Sequence, residues 1–327
     1  MSAIAETYWQ AGIESTRGTA VAATRKLYAK AAIPTEERPK EFVSQARQSY
    51  VAHYDAVETH RHVPDIPFEF PALSFDDAIW WLLLAAKGGV TPTGAGPYVW
   101  TSNGMATSDD LDSTTLEVAD GVSAFQIPFA MCKSWELSGK LGSGPSPISA
   151  KFNLMAQKLT AGHTMTAAIA DRNLVGSYLA MKNTQVFLDT AAGSIGGTEI
   201  ATALEEISIK MDNKLEPRWT GSAAGGDYSY VNREERYLEV SAVLRMNATT
   251  YGYFTSVFQA NALRYLQIKN TGAGNDLLTV NLATKLETFE FPEDGTTRRV
   301  GIMGRSLYDP TLGYDWQIAV QNDIASL

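Results

Sequence analysis

The chain has 327 residues and a formal net charge of −9, and 45% of its residues are hydrophobic while only 19% are charged. This composition excludes disorder over most of the length and argues against tight wrapping of nucleic acid, because affinity for phosphates depends on Lys and Arg. Cys132 is the only cysteine, so an internal disulfide and a paired-cysteine zinc site are both excluded.

The N-terminal residues 1–9 lack a basic segment followed by an apolar core and a cleavage site, so we expect no secretion signal. The longest apolar run, residues 78–86, is far shorter than the ~20 residues needed to cross a bilayer. We therefore predict a buried helix at this run, no membrane anchor, and a protein made in a reducing cytoplasm.

The first predicted elements are a glycine-rich turn region, residues 12–23, and an alternating strand, residues 66–70. The strand leads into an amphipathic helix that Ser74 and Asp77 cap, because a serine followed three residues later by an acidic residue forms a capping box. Apolar side chains recur along this helix at helical spacing: Ile79, Trp80, Leu83 and Leu84. Such a stripe predicts a core-facing helix and not a ligand groove.

A strand, a turn and a returning strand follow the helix, at residues 135–140, 142–147 and 152–156. The glycine-rich stretches 88–97 and 139–147 lack the lysine and hydroxyl residues of a phosphate-binding loop. We therefore predict hairpin turns at both.

The second half of the chain repeats this order of elements. A turn region at residues 189–203 precedes a strand at residues 240–244 and a helix, whose apolar residues are Tyr253, Phe254, Val257 and Phe258. Phe289 and Phe291 then alternate as Trp135 and Leu137 do. The returning strand matches as well, with Phe152, Leu154 and Ala156 corresponding to Val300, Ile302 and Gly304. We predict two copies of one unit, a first domain at residues 1–177 with a connection at residues 163–176, and a second domain at residues 178–327.

Two long polar segments, the first arm (residues 34–64) and the second arm (residues 214–236), do not fit compact loops. Both carry aromatic residues: Phe42, Tyr50 and Tyr54 in the first arm, and Trp219, Tyr228 and Tyr230 in the second. Exposed aromatic side chains favour contacts with a partner. The alternative is a surface hairpin folded back on its own domain.

Three histidines of the first arm, His53, His60 and His62, are the best metal candidates, since His60 and His62 project from the same side of a strand. The structural alternative is exposed polar residues at a contact, which we favour. The acidic stretch 108–120 lacks the glycine and closing glutamate of a calcium loop, so we predict a solvated loop there. These patterns predict no catalytic, cofactor-binding or metal site.

Three stretches carry a resemblance that covers nearly the whole chain: AGIESTRGTAVAATRKLY (residues 11–28), QVFLDTAAGSIGGTEIATALEEISIKMDNKLEP (residues 185–217) and LYDPTLGYDWQIAVQND (residues 307–323). The chain resembles the major tail tube protein of long-tailed, siphovirus-type bacteriophages, in its larger form with two tandem tube domains. The resemblance implies a mainly β fold of two tandem β-sandwich or barrel-like domains, each with one helix packed on the sheet. It carries over no catalytic residue, cofactor or metal.

The resemblance also implies a structural virion protein that is not an enzyme. Three chains form a pseudo-hexameric ring, and stacked rings form the tail tube through which DNA is ejected. The implied partners are copies of the chain itself, the tape measure protein, tail-end proteins and viral DNA passing non-specifically through the lumen. The implied location is the virion tail, assembled in the host bacterial cytoplasm. Acidic residues are candidates for the lumen wall: Asp109, Asp110, Asp112, Glu117, Asp120, Glu287 and Glu290.

Two alternatives remain open from the sequence. A carbohydrate-binding or adhesin module of a phage fibre or cell surface also uses paired β domains, and Trp219 is then the residue to test. A metal-dependent enzyme that uses the histidines of the first arm is the other.

Overall fold

A computed structural model describes residues 7–43, 55–58, 60–86, 91–104, 111–144, 146–170, 178–200, 203–220, 226–294 and 297–325. Strands make up 52% of the structure and helices 10%, which confirms the predicted mainly β class. Among the described residues, no helix is long and apolar enough to span a bilayer.

The N-terminal half begins with β1 (Tyr8–Ile13), β2 (Arg25–Leu27), β3 (Lys40–Val43), β4 (Asp55–Glu58), β5 (Val63–Phe70) and α1 (Phe75–Ala86). It continues with β6 (Tyr98–Asn103), β7 (Thr114–Ala119), β8 (Ala124–Lys140), β9 (Ser149–Ala156) and β10 (Thr160–Ala161).

The C-terminal half begins with β11 (Thr184–Asp189), β12 (Leu204–Asp212), β13 (Leu215–Arg218), β14 (Tyr230–Arg233), β15 (Leu238–Arg245) and α2 (Ala248–Tyr253), which continues as a π-helical segment (Phe254–Gln259). It ends with β16 (Arg264–Thr271), β17 (Leu277–Glu290), β18 (Glu293–Asp294), β19 (Thr297–Leu307) and β20 (Trp316–Asn322). Short 3₁₀ turns lie at Met181–Asn183 and Ala192–Ser194.

One antiparallel sheet of 16 strands runs through both halves, with the main order β11-β16-β17-β19-β15-β12-β8-β7-β1-β2. Strand β9 joins β5 to β8, while β20 joins β6 to β17. The hairpins β3-β4 and β13-β14 stand apart as two-stranded sheets within the two predicted arms.

Helix α1 forms as its sequence pattern predicts. The Ser74 hydroxyl accepts from the Asp77 backbone N–H at 3.0 Å and donates to the Asp77 carboxylate at 2.8 Å, which caps the first turn. Ile79, Trp80 and Leu84 are all buried, so the apolar stripe faces the core. The side chain of Leu83, the remaining member of the stripe, lies outside the described part of the chain.

Helix α2 is shorter than α1 and begins at a capping box of its own. The Asn247 side chain accepts from the Thr250 backbone N–H at 2.9 Å, and the Thr250 hydroxyl accepts from the Asn247 N–H at 2.8 Å. The turns after Tyr253 are π-helical, and Val257 is their buried residue.

The two halves share strand pairings and a core. Strand β6 of the N-terminal half pairs with β20 of the C-terminal half along residues 98–103 and 317–322, and β8 pairs with β12. One cluster of buried apolar side chains contains residues of both halves. The division at residue 177 therefore remains a prediction, since hydrogen bonds and core contacts both cross it.

The order of strand pairing nevertheless recurs in both halves. In the first half β5 pairs with β9 and β9 with β8, and in the second β15 pairs with β19 and β19 with β17. Trp135 lies opposite Phe152, as Phe289 lies opposite Ile302. By this register Phe152 corresponds to Ile302, whereas the sequence pattern matched it with Val300.

Candidate assembly surfaces

The internal interface is the contact through which the halves join edge to edge. It consists of residues 134–140 of β8 and residues 206–212 of β12, an antiparallel ladder that runs from Ser134 opposite Asp212 to Lys140 opposite Glu206. Trp135 is only 2% exposed and Leu137 only 3%. Lys140 and Glu206 form an ion pair at 2.5 Å where the ladder ends. This is a strand-pairing surface with a buried apolar side.

The β17 edge, residues 285–290, is the C-terminal half's counterpart of this surface. Residues 277–284 of β17 have strand neighbours on both sides, whereas among the described residues 285–290 pair only with β19. Phe291, immediately after the strand, is 46% exposed. The edge thus combines unpaired strand backbone with an exposed aromatic ring.

An aromatic cluster lies beside the β17 edge and consists of Tyr251, Phe254, Phe258, Phe289 and Phe291. The ring of Phe254 lies 5.3 Å from that of Phe289 and 5.8 Å from that of Phe291. Tyr251 is 52% exposed. Helix α1 differs, because it packs against β6 and β20 as well as β8 and its aromatic residues are buried.

The N-terminal edge, residues 30–36, is a second surface that could accept a strand. Lys30 exchanges backbone hydrogen bonds with Glu69 of β5, and Glu37 does so with His62, so the segment follows β5. Within the described ranges it has no strand partner on its other side, although the indole of Trp9 donates to the Ala31 carbonyl at 3.1 Å.

An open groove of about 1420 Å³ borders the N-terminal edge. Its lining is largely apolar and includes Tyr8, Ala29, Ala31 and Met165, together with the exposed Lys30. The groove is large enough for several side chains of a partner.

The second arm folds back on the N-terminal half, whereas the alternative interpretation of its sequence placed it on its own domain, the C-terminal half. Tyr228 is fully buried and its hydroxyl donates to the Phe129 carbonyl at 2.7 Å. Burial opposes ionisation of Asp227, but hydrogen bonds from Arg61 and Lys158 outweigh it and hold the pKa of this carboxyl below its usual value. Tyr230, by contrast, is 49% exposed.

The described part of the first arm is the β3-β4 hairpin with its flanking residues. Phe42 lies in β3, while Tyr50, Tyr54 and His53 lie outside the described residues. Their expected role in partner contacts stays a prediction.

His60 and His62 lie on the same side of the chain, as predicted, with ring centroids 6.3 Å apart. Both rings pack on Trp219, at 4.2 Å for His60 and 5.7 Å for His62, and the Trp219 indole donates to the Gly226 carbonyl. Burial lowers the pKa of His62. In the part of the chain that the structure describes, no group of three or more His, Cys, Asp or Glu side chains could hold a metal ion. Trp219 is thus a packing residue for both histidines.

The acidic residues that were candidates for a lumen wall lie in different places. Glu117 is buried and binds the backbone N–H and hydroxyl of Thr166 at 2.8 and 2.7 Å, so it cannot line a channel. Asp120 closes a turn by accepting from Val122 N–H. Glu287 and Glu290 are exposed on β17. Asp109 and Asp110 lie outside the described residues.

Sequence reasoning missed the internal interface and both edges, since the pairing partners lie about 70 residues apart along the chain. The local signal was the alternation of Phe289 and Phe291, which marked the end of the strand that carries the β17 edge. A scan against known families finds no matching family model, and a search of curated proteins finds no match.

Proposed function

We propose that this chain is a structural virion protein whose copies polymerise into stacked rings that form a phage tail tube, the conduit for DNA ejection. One observation carries the proposal. The two halves already join edge to edge through the internal interface, while the β17 edge and the N-terminal edge, at opposite ends of the repeated pairing order, have no outer strand partner among the residues that the structure describes. The resemblance to tail tube proteins along the sequence points the same way.

Edge-to-edge pairing supports assembly for a physical reason. An unpaired strand edge is a template for uncontrolled pairing, and closing a ring of edges removes that hazard. Two different edges on one chain make a head-to-tail contact, which generates a ring when the rotation closes. We propose three chains to a ring, each supplying two sectors.

The polar face of the sheet supports a role as a conduit wall. Its charged residues form cross-strand pairs, such as Lys151 with Glu69 at 3.5 Å and Lys210 with Glu239 at 2.9 Å. Lysines tied to carboxylates are less available to displace counterions from phosphates. DNA passing along such a wall would be held weakly.

The partners proposed with this function are other copies of the chain, the tape measure protein, tail-end proteins and viral DNA that passes non-specifically. The proposed location is the virion tail, with assembly in the host bacterial cytoplasm.

Negative-stain microscopy of the purified full-length chain tests the proposal. We expect rings that stack into tubes as the protein concentration rises, because the association is bimolecular. Particles that stay strictly monomeric at high concentration, alone and with tail proteins, would contradict it.

A further inference from the structure

The internal interface provides a pattern for a contact between chains, because its two strands each have a counterpart in the other half. Lys133 lies at a register shift in the ladder between β8 and β9, and Glu287 lies at a register shift in the ladder between β17 and β19. Beyond the shift, Trp135 corresponds to Phe289 and Leu137 to Phe291. The β8 side of the internal interface is therefore repeated at residues 288–294.

The β12 side is repeated at the N-terminal edge. Glu206 lies opposite Val243 in β15, and Lys30 lies opposite Glu69 in β5. Since β5 and β15 hold the same place in the pairing order, Lys30 corresponds to Glu206 and Ile33 to Ile209. Residues 30–36 thus correspond to residues 206–212.

From this correspondence we infer that residues 288–294 of one chain pair antiparallel with residues 30–36 of a second copy of the chain, in the register of the internal interface. Phe291 then lies opposite Ile33, and Asp294 lies opposite Lys30. This inference rests on the proposed assembly function and names the contact that carries it.

The hydrogen-bonding pattern of the internal interface fixes which residues must face outwards. The Leu141 N–H donates to Glu205 O at 2.7 Å, and the Asn213 N–H donates to Lys133 O at 2.8 Å. Odd-numbered residues of both strands therefore exchange the hydrogen bonds of this ladder.

The two edges satisfy the same requirement. The backbone groups of Lys30 are hydrogen-bonded to Glu69, and the Pro292 carbonyl accepts a hydrogen bond from the Arg299 N–H of β19. The backbone groups of Lys30 and Pro292 therefore point into their own chain and not towards a partner. Because the direction of the backbone groups alternates along an extended strand, Phe291, which is next to Pro292, and Ile33, which is three residues from Lys30, are the residues that face the partner. Pro292, which has no N–H, falls at a position that takes no part in the new ladder.

Charge and apolar surface also match across the contact. Lys140 forms an ion pair with Glu206 in the internal interface. Asp294 corresponds to Lys140 and Lys30 corresponds to Glu206, so the contact between copies also pairs a positive with a negative charge, with the two signs exchanged. Phe291, 46% exposed in the single chain, corresponds to the buried Leu137.

Cysteine cross-linking tests the register. Non-hydrogen-bonded antiparallel pairs bring Cα atoms to about 4.5 Å, within the range that a disulfide spans. We would mix a Lys30→Cys variant with an Asp294→Cys variant and oxidise the mixture. The native Cys132 is buried, and burial raises the pKa of its thiol, so it stays unreactive.

A covalent dimer is expected from this mixture, and from neither variant alone. The matched control replaces Lys30→Cys by Val122→Cys at an almost fully exposed turn position, and is expected to give only background dimer. A double variant, Lys30→Cys with Asp294→Cys, should give a series of covalent oligomers whose largest member contains as many chains as one ring.

The outcomes separate this contact from the proposed function. Rings by microscopy without the covalent dimer would overturn the contact and leave the tube proposal standing. A covalent dimer without rings would support the contact and contradict the tube. Equal cross-linking at Val122→Cys would overturn the register. As a second measurement, Phe291→Ser should raise the concentration needed for assembly, while Tyr230→Ser, at a similarly exposed aromatic residue, should not.

Discussion

Glu14 is a buried carboxylate that joins three distant segments at the end of β1. One oxygen accepts from the Thr115 hydroxyl and the Phe129 N–H, both at 2.8 Å. The other accepts from the Gly18 N–H at 2.8 Å and the Ser113 hydroxyl at 2.6 Å. The glycine-rich turn after β1 is thus held by one side chain.

We predict that Glu14→Ala lowers the free energy of unfolding by about 3 kcal/mol or more, because each buried donor left without a partner costs ~1–3 kcal/mol. Urea titration of the unassembled chain measures it. Glu216→Ala, at an exposed carboxylate of β13, is the control and should change stability by less than ~0.5 kcal/mol. Equal effects of the two substitutions would contradict the assigned role.

His62 makes stability depend on pH. Burial lowers its pKa, and nearby His60 adds to the effect while Glu37 opposes it. The unfolded chain therefore binds this proton at higher pH than the folded chain, so stability is present above about pH 6.5 and is lost as the pH falls through the folded-state pKa. His62→Gln removes this contribution.

We expect the urea concentration at the unfolding midpoint of the unmodified chain to decrease when the pH is lowered from about 7.5 to about 5.5. The midpoint of His62→Gln should decrease less. Parallel titrations of the two proteins measure the difference. An identical fall in both would assign the pH dependence to other groups.

The β13-β14 hairpin and its neighbouring residues form an element of the fold and not a free arm. Tyr228 joins Leu111, Phe129, Met131, Met155 and Leu215 in a small cluster separate from the main core. The hairpin therefore fastens the C-terminal half onto β8 and β9. Local composition could not predict this, because the partners of Tyr228 in the N-terminal half lie about 70–120 residues earlier in the chain.

Tyr228→Ala should lower the free energy of unfolding by about 3–5 kcal/mol, as for other buried aromatic residues. Tyr230→Ala, two residues away and 49% exposed, should cost less than ~0.5 kcal/mol. Chemical denaturation of both variants measures the contrast. A stable Tyr228→Ala protein would show that the hairpin is dispensable.

Elements whose signals are local were predictable from the sequence, and those that depend on distant pairing were not. Alternation marked the strands around Phe68 and Ala242, and the Ser74–Asp77 pair marked the start of α1. Strand β6 was missed, because its pairing partner β20 lies more than 200 residues later. Of the candidate surfaces, the aromatic residues of the second helix were identified but were assigned to the core.

At the scale of the whole molecule, the halves are interleaved. Residues 1–177 contribute β6 to the edge of β20, and residues 178–327 contribute β12 to the edge of β8. Each half alone would expose an unpaired strand edge and the apolar side chains that cover it.

We predict that residues 1–177 and residues 178–327, expressed separately, do not fold, and that co-expression yields a folded complex. Near-ultraviolet circular dichroism of each fragment and of the complex measures tertiary packing. Two fragments that each give native-like spectra would show that the halves are independent domains.

The internal interface has a consequence for how substitutions act. Its strands belong to one chain, so it forms in a unimolecular step, and a change at Leu137 alters stability by the same amount at every protein concentration. On the inferred contact between copies, a change at Phe291 has an effect that depends on concentration, by mass action. The chain can therefore acquire changes in its assembly threshold without changes in its folding equilibrium, since the two properties depend on different residues.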